Sequence, residues 1–141
     1  MMTETREIQF KTRGDGDIID ITSKIEQAVR ASAITSGVVT VFVPGSTGGV
    51  TTIEFEPGLL QDMPQLMEKL IPSGRPYKHD ETWHDGNGFS HLRSSLIGPG
   101  ITVPFSDSRL LLGTWQQVVF LEFDNRARSR RVILQVMGDA G

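Results

Sequence analysis

The chain has 141 residues, 38% of them apolar and 22% charged, and 14 basic groups stand against 17 acidic ones for a formal charge of −3. That length fits one domain spanning 1–141 and excludes a (β/α)₈ barrel, which takes about 250 residues. The acidic balance argues against sequence-independent nucleic-acid binding, and the absence of cysteine removes disulfides, thiolate metal sites and a thiol nucleophile. No stretch approaches the ~18 consecutive apolar residues of a membrane span, and the N-terminus lacks an apolar signal core. A cytoplasmic protein with neither nucleic acid nor membrane as partner is expected.

Taken in chain order, Glu4 to Thr12 alternates, with Ile8 and Phe10 on one face, and predicts an outer strand ended by Gly14-Asp15-Gly16-Asp17. Ser23 and Glu26 are spaced as a capping box, and Ile25, Ala28 and Val29 supply a helical stripe running to about Ala33. Val38–Val43 is apolar on both faces and predicts a central strand covered on both sides. After the turn Pro44–Gly49, β character resumes from Val50 to Glu56. Leu59, Leu60, Met63, Leu66, Met67 and Leu70 have helical spacing, which Pro64 should break into two helices, with Asp62 near the second cap. Tyr77 to Gly88 has no usable period and predicts a loop. Strands are expected at Leu92–Ile97, Ile101–Phe105, Arg109–Leu112, Gln117–Phe123 and Arg131–Val136. Helices early and strands late give an α+β domain with an antiparallel β-sheet or sandwich core and two or three helices.

Three features suggest chemistry. Gly45-Ser46-Thr47-Gly48-Gly49 exposes backbone amides and two hydroxyls, which suits an anion nest, but taken alone it reads as a hairpin or bulge. All three histidines, His79, His84 and His91, lie in one polar stretch with Tyr77, Asp80, Glu81, Asp85 and Asn87; imidazole with carboxylate suits a divalent cation, although the spacing matches no standard zinc signature and a solvated loop with surface histidines is the alternative, favoured for His84. The third feature is the carboxylate pair Glu54 and Asp62, which could hold such a cation through oxygen, although helix capping is the simpler role for Asp62 and an ordinary exposed strand position for Glu54. Arg126, Arg128, Arg130 and Arg131 form a basic cluster, which Arg93 and Arg109 could join, but such clusters are more often solvated or paired than ligand-binding.

The combination of Tyr77-Lys78-His79, Asp85-Gly86-Asn87-Gly88-Phe89-Ser90-His91-Leu92-Arg93-Ser94-Ser95, Gly98-Pro99, Pro104, Leu112-Gly113-Thr114-Trp115-Gln116-Gln117 and Glu122-Phe123-Asp124-Asn125-Arg126-Ala127-Arg128 resembles the YjbQ-type UPF0047 family. The resemblance implies an α+β homotrimer and a secondary thiamine-phosphate synthase activity, a transfer between phosphorylated small molecules. It implies a site of Glu54, Asp62, His79, His91 and Arg93 near Thr114 and Gln116. On that reading His79, His91 and Glu54 are catalytic. Ser46, Thr47, Arg93, Thr114 and Gln116 bind a small phosphorylated molecule, and His79, His91, Glu54 and Asp62 hold a divalent metal, magnesium or zinc. Two positions depart from the family pattern: Gly45 and Phe89 stand where many relatives carry histidine, which points to a loop that receives an anion. The alternative is a trimer that binds a metal or phosphorylated metabolite without catalysis.

Overall fold

The computed structural model describes Met1–Gly141. Its elements are β1 (Met2–Lys11), β2 (Ile18–Asp20), α1 (Thr22–Ala31), β3 (Ser36–Phe42), β4 (Gly48–Ile53), α2 (Pro57–Leu70), α3 (Lys78–Trp83), α4 (Gly88–Ile97), β5 (Gly100–Ser106), β6 (Arg109–Leu110), β7 (Gln117–Glu122) and β8 (Ser129–Asp139). Two antiparallel sheets form, one in the order β1-β8-β3-β5-β6 and one in the order β2-β7-β4. The α+β sandwich is as expected, but with four helices.

Alternation sets the layers. Val132, Leu134 and Val136 of β8, Val39 and Val41 of β3, and Val103 and Phe105 of β5 point inward from the large sheet. They meet Val118 and Phe120 of β7, Val50 of β4, and Ile25 and Val29 of α1 in one core. On the far side of the small sheet, Val119 and Leu121 join Phe123, Met67 of α2 and the flanking Met63 and Ile97 in a second cluster. The doubly covered strand is therefore β7. β3 is central, between β8 and β5, but leaves Val38 and Phe42 on an open face.

Four local expectations are corrected. Helix α1 starts after Ile21 without the Ser23–Glu26 box; Asp20 Oδ1 accepts the Thr22 amide at 3.0 Å instead. Helix α2 continues through Pro64, with Met63 and Met67 packed onto the small sheet, and its cap is Glu56, whose carboxylate accepts the Gly58 and Leu59 amides. Asp62 is an exposed residue of that helix. The Tyr77–Gly88 stretch contains α3, and Leu92–Ile97 belongs to α4 rather than to a strand.

Helix α4 reads as a strand because its buried face is partly polar. Phe89, Ser90, Arg93 and Ser94 are buried, while Leu92 and Leu96 face outward. Ser94 Oγ donates to the Gly48 carbonyl at 2.5 Å, which fastens α4 to the small sheet.

Candidate functional site

Antiparallel pairing brings separate stretches of chain to one end of the sandwich. The end of β1, the β3–β4 turn, the β7–β8 hairpin and the start of α4 enclose a cleft of about 810 Å³. Its lining includes five basic residues, Lys11, Arg126, Arg128, Arg130 and Arg131, against two acidic ones, Asp85 and Asp124. Ser46, Asn87 and His91 complete the polar wall. In an acidic chain this concentration of positive charge is local and directional.

A buried network holds the arginines in place. Glu122, 1% exposed, accepts from Arg130 through both carboxylate oxygens and from the Thr12 hydroxyl at 2.7 Å. Arg130 Nη2 also donates to the Thr47 hydroxyl at 2.8 Å, and that hydroxyl donates to Asp124 Oδ2 at 3.1 Å. Asp124 in turn binds Arg128 Nη1 at 2.5 Å and the Asn125 amide at 2.8 Å. Burial works to raise the Asp124 pKa, but donation from the Asn125 amide, Thr47, Arg128 and Asn87 outweighs it and holds the carboxyl below its ordinary value. Arg130 Nη1 has no acceptor within the protein, and a Cβ at Gly45 would lie 3.2 Å from it. The missing side chain at Gly45 leaves that guanidinium edge facing the cleft. Arg126 and Lys11 pair with no carboxylate.

The histidines lie beside this cleft. Gly88 allows α3 and α4 to approach, since a Cβ there would sit 2.7 Å from the Tyr77 Cβ and 3.3 Å from the His79 Cβ. Asp80 closes the junction by accepting the Tyr77 amide at 3.1 Å and the Gly88 amide at 3.0 Å. The rings of His79 and His91 then lie 4.3 Å apart between centroids, tilted by 38° to each other. His91 also faces a second cavity of about 570 Å³, lined by Tyr77, His79, Glu81 and Leu92 among others. Burial, reinforced by the neighbouring His79, lowers the His91 pKa, and Asp124 and Asp85 only partly oppose this. Its imidazole is therefore mainly neutral at pH 7.

The UPF0047 protein YjbQ-like family matches residues 6–139. The chain belongs to that family. It is 42% identical over 131 residues to a UPF0047 protein of Archaeoglobus fulgidus, covering 93% of this chain and 99% of the relative. Against the UPF0047 protein YugU of Bacillus subtilis it is 34% identical over 133 residues, covering 93% and 97%. Among solved structures it is similar to a YbjQ-like protein of unknown function from Sulfolobus solfataricus, with a TM-score of 0.87 at 26% identity over 98% of this chain and 100% of the other. A hypothetical protein of Aeropyrum pernix aligns with a TM-score of 0.84 at 32% identity, over 95% and 99%.

In this UPF0047 member the expected site residues fall into three groups. His91, Ser46 and Thr47 line the cleft, although the Thr47 hydroxyl is already engaged by Arg130 and Asp124; His79 lies behind His91 at the second cavity. Arg93 is elsewhere: it is 2% exposed and its three nitrogens are taken by the Ile71 carbonyl, Asp15 at 3.0 Å and Glu68 at 2.8 Å. Within one chain it has no free edge for phosphate.

Glu54, Thr114 and Gln116 lie at the opposite end of the small sheet. The register runs from Gly48↔Glu122 beside the cleft to Ile53↔Gln117, five residues along, or about 17 Å at ~3.3 Å per residue. There Gln116 accepts the Gly113 amide and donates to Thr52. Asp62 and Arg109 line neither of these two cavities. The single-chain geometry thus separates Glu54 and Asp62 from the histidines. Asn87 belongs to the polar stretch expected to carry function, whereas Lys11 and Asp124 are cleft residues to which the sequence assigns no role. Lys11 reaches the hairpin through its pairing with Ser129 of β8, and Asp124 lies in the β7–β8 hairpin itself.

Proposed function

We propose that this UPF0047 member binds a small phosphorylated metabolite in the arginine-lined cleft and acts on it as an enzyme. The observation that carries this reading is the unpaired basic edge formed by Arg126, Lys11 and Arg130 Nη1 around the Ser46 turn. Guanidinium groups donate in a fork that matches phosphate oxygens. A cavity of 810 Å³ accommodates a metabolite rather than a macromolecule. His91, neutral near pH 7 in the cleft wall, is the group placed to take or give a proton.

The transfer implied by family resemblance fits such a site. A thiazole phosphate nitrogen forms a bond to the pyrimidine methylene as that carbon releases diphosphate, whose growing charge the arginines stabilise. The homotrimer implied by resemblance finds support in the open face of the large sheet, where Val38, Phe42 and Met137 are exposed. A single-chain mass by light scattering would overturn the trimer.

The test of the cleft is calorimetry with inorganic pyrophosphate and phosphate at two salt concentrations. Saturable binding that favours pyrophosphate and weakens with salt is expected; no binding at millimolar concentration overturns the reading. Product analysis with a pyrimidine diphosphate and a thiazole phosphate then decides between enzyme and binder. Binding without product makes the chain a binding protein for the same class of metabolite.

A further inference from the structure

Three buried side-chain polar atoms lack a hydrogen-bond partner: His79 Nδ1, Asn87 Oδ1 and Ser90 Oγ. All belong to residues 79–90, the segment that runs from α3 through a turn into α4. A fold rarely leaves buried polar atoms unpaired, so their concentration in one segment asks for an explanation. The turn itself is well held. Asp85 presents its carbonyl to Asn125 Nδ2 at 2.9 Å, and Asp80 caps both helices. The Asp85 carboxylate and the His79 ring, by contrast, have no hydrogen-bonding duty within the fold.

These groups converge. His79 Nδ1 lies 3.8 Å from Asp80 Oδ1 and 3.8 Å from Asp85 Oδ1, and one ligand atom from each residue falls within 4.8 Å of the others. Such separations are too long for a hydrogen bond. They approach the spacing of two ligands on one ion, since bonds of about 2.0–2.2 Å at tetrahedral angles separate donor atoms by about 3.4–3.6 Å. The group lies between the two cavities, with Asp85 lining the basic cleft and His79 lining the second one.

We propose that His79 Nδ1 and the carboxylates of Asp80 and Asp85 bind one divalent transition-metal ion, zinc or manganese, in the wall between the two cavities. One imidazole with two carboxylates suits these ions, whereas magnesium has little use for a nitrogen donor. The expected set of His79, His91, Glu54 and Asp62 is thereby replaced by residues that are neighbours within one chain. An ion there would also face any anion held by the cleft, but its binding does not depend on one.

The experiment uses the full chain, stripped with chelator and free of phosphate, and titrates zinc, manganese and magnesium chlorides by calorimetry and thermal unfolding. Zinc or manganese should bind at one ion per chain and raise the unfolding midpoint, with magnesium inert. Asp85→Asn and His79→Gln remove side chains that bond nothing in the fold, so both variants should fold and bind the ion at least tenfold more weakly. Three outcomes overturn the proposal: no zinc or manganese binding, equal binding in both variants (as through exposed His84), or magnesium binding as well as zinc. Because no anion is present, failure here leaves the cleft reading standing.

Discussion

Arg130 and Arg93 are both buried arginines that contact carboxylates, yet only one borders a binding space. Arg130 has Glu122 and the Thr47 hydroxyl on Nε and Nη2, with Nη1 left over at the edge of an 810 Å³ cleft. Arg93 spends all three nitrogens on Asp15, Glu68 and the Ile71 carbonyl, and the cavity beside it is about 10 Å³. The difference lies in how many donors the fold leaves unused. Arg93 ties the middle of α4 to the end of α2 and to the β1–β2 loop. Arg130 is anchored from behind and presents an edge.

The largest test of this contrast is stability. Arg130→Ala strands the Glu122 carboxylate, which is 1% exposed, and should cost about 3–5 kcal/mol in urea unfolding. Arg93→Ala strands groups that can turn to water, since the Asp15 and Glu68 side chains are 32% and 51% exposed. It should cost less, about 1–3 kcal/mol. A larger loss for Arg93 would break the comparison.

The same contrast shows what was legible in the sequence. Strands β1, β5, β7 and β8 announce themselves through alternation or β-branched runs that match their burial. Helix α4 does not, because Ser90, Arg93 and Ser94 face inward while Leu92 and Leu96 face water, the reverse of the usual apolar stripe. That inversion makes His91 look like a strand residue, and the ligand role of Arg93 rests on the family resemblance. The histidine stretch was visible because its residues are close in sequence. The basic cleft was only half visible: the hairpin arginines and Asp124 cluster in sequence, but Lys11 reaches them through strand pairing and Asn87 through the placement of α4. Nor does composition reveal that Arg93 is saturated and Arg130 is not, since that depends on Asp15, Glu68 and Gly45 at distant positions.

A smaller effect comes from acid, where the two regions should respond with opposite sign. Asp124 has its folded pKa held below the ordinary 3.8, because donation from Asn125, Thr47, Arg128 and Asn87 outweighs burial. The unfolded chain then binds more protons, so this group's stabilisation is complete above the unfolded value and is lost as pH falls through the folded one. For Asp15, burial raises the pKa above 3.8 despite Arg93. Here the folded chain binds more protons, and stability declines as pH rises from 3.8 through the folded value. Urea unfolding across the acid range should show Asp124→Asn removing a positive slope of stability against pH, and Asp15→Asn removing a negative one. Slopes of the same sign would mean that the two carboxyls share one environment.

The smallest change in stability should accompany the largest change in binding. Arg126 is exposed, lines the cleft and holds no carboxylate, so Arg126→Ala should move stability by no more than about 0.5 kcal/mol. It removes a charged donor from the proposed anion site, and pyrophosphate affinity should fall about tenfold, equivalent to about 1.4 kcal/mol. Arg93→Lys, measured where the variant remains folded, should lose stability yet keep pyrophosphate affinity, because that side chain never reaches the cleft. If Arg93→Lys weakened binding and Arg126→Ala did not, the anion would have to sit against α4 and α2, and the cleft at the end of the sandwich would be a solvated hollow.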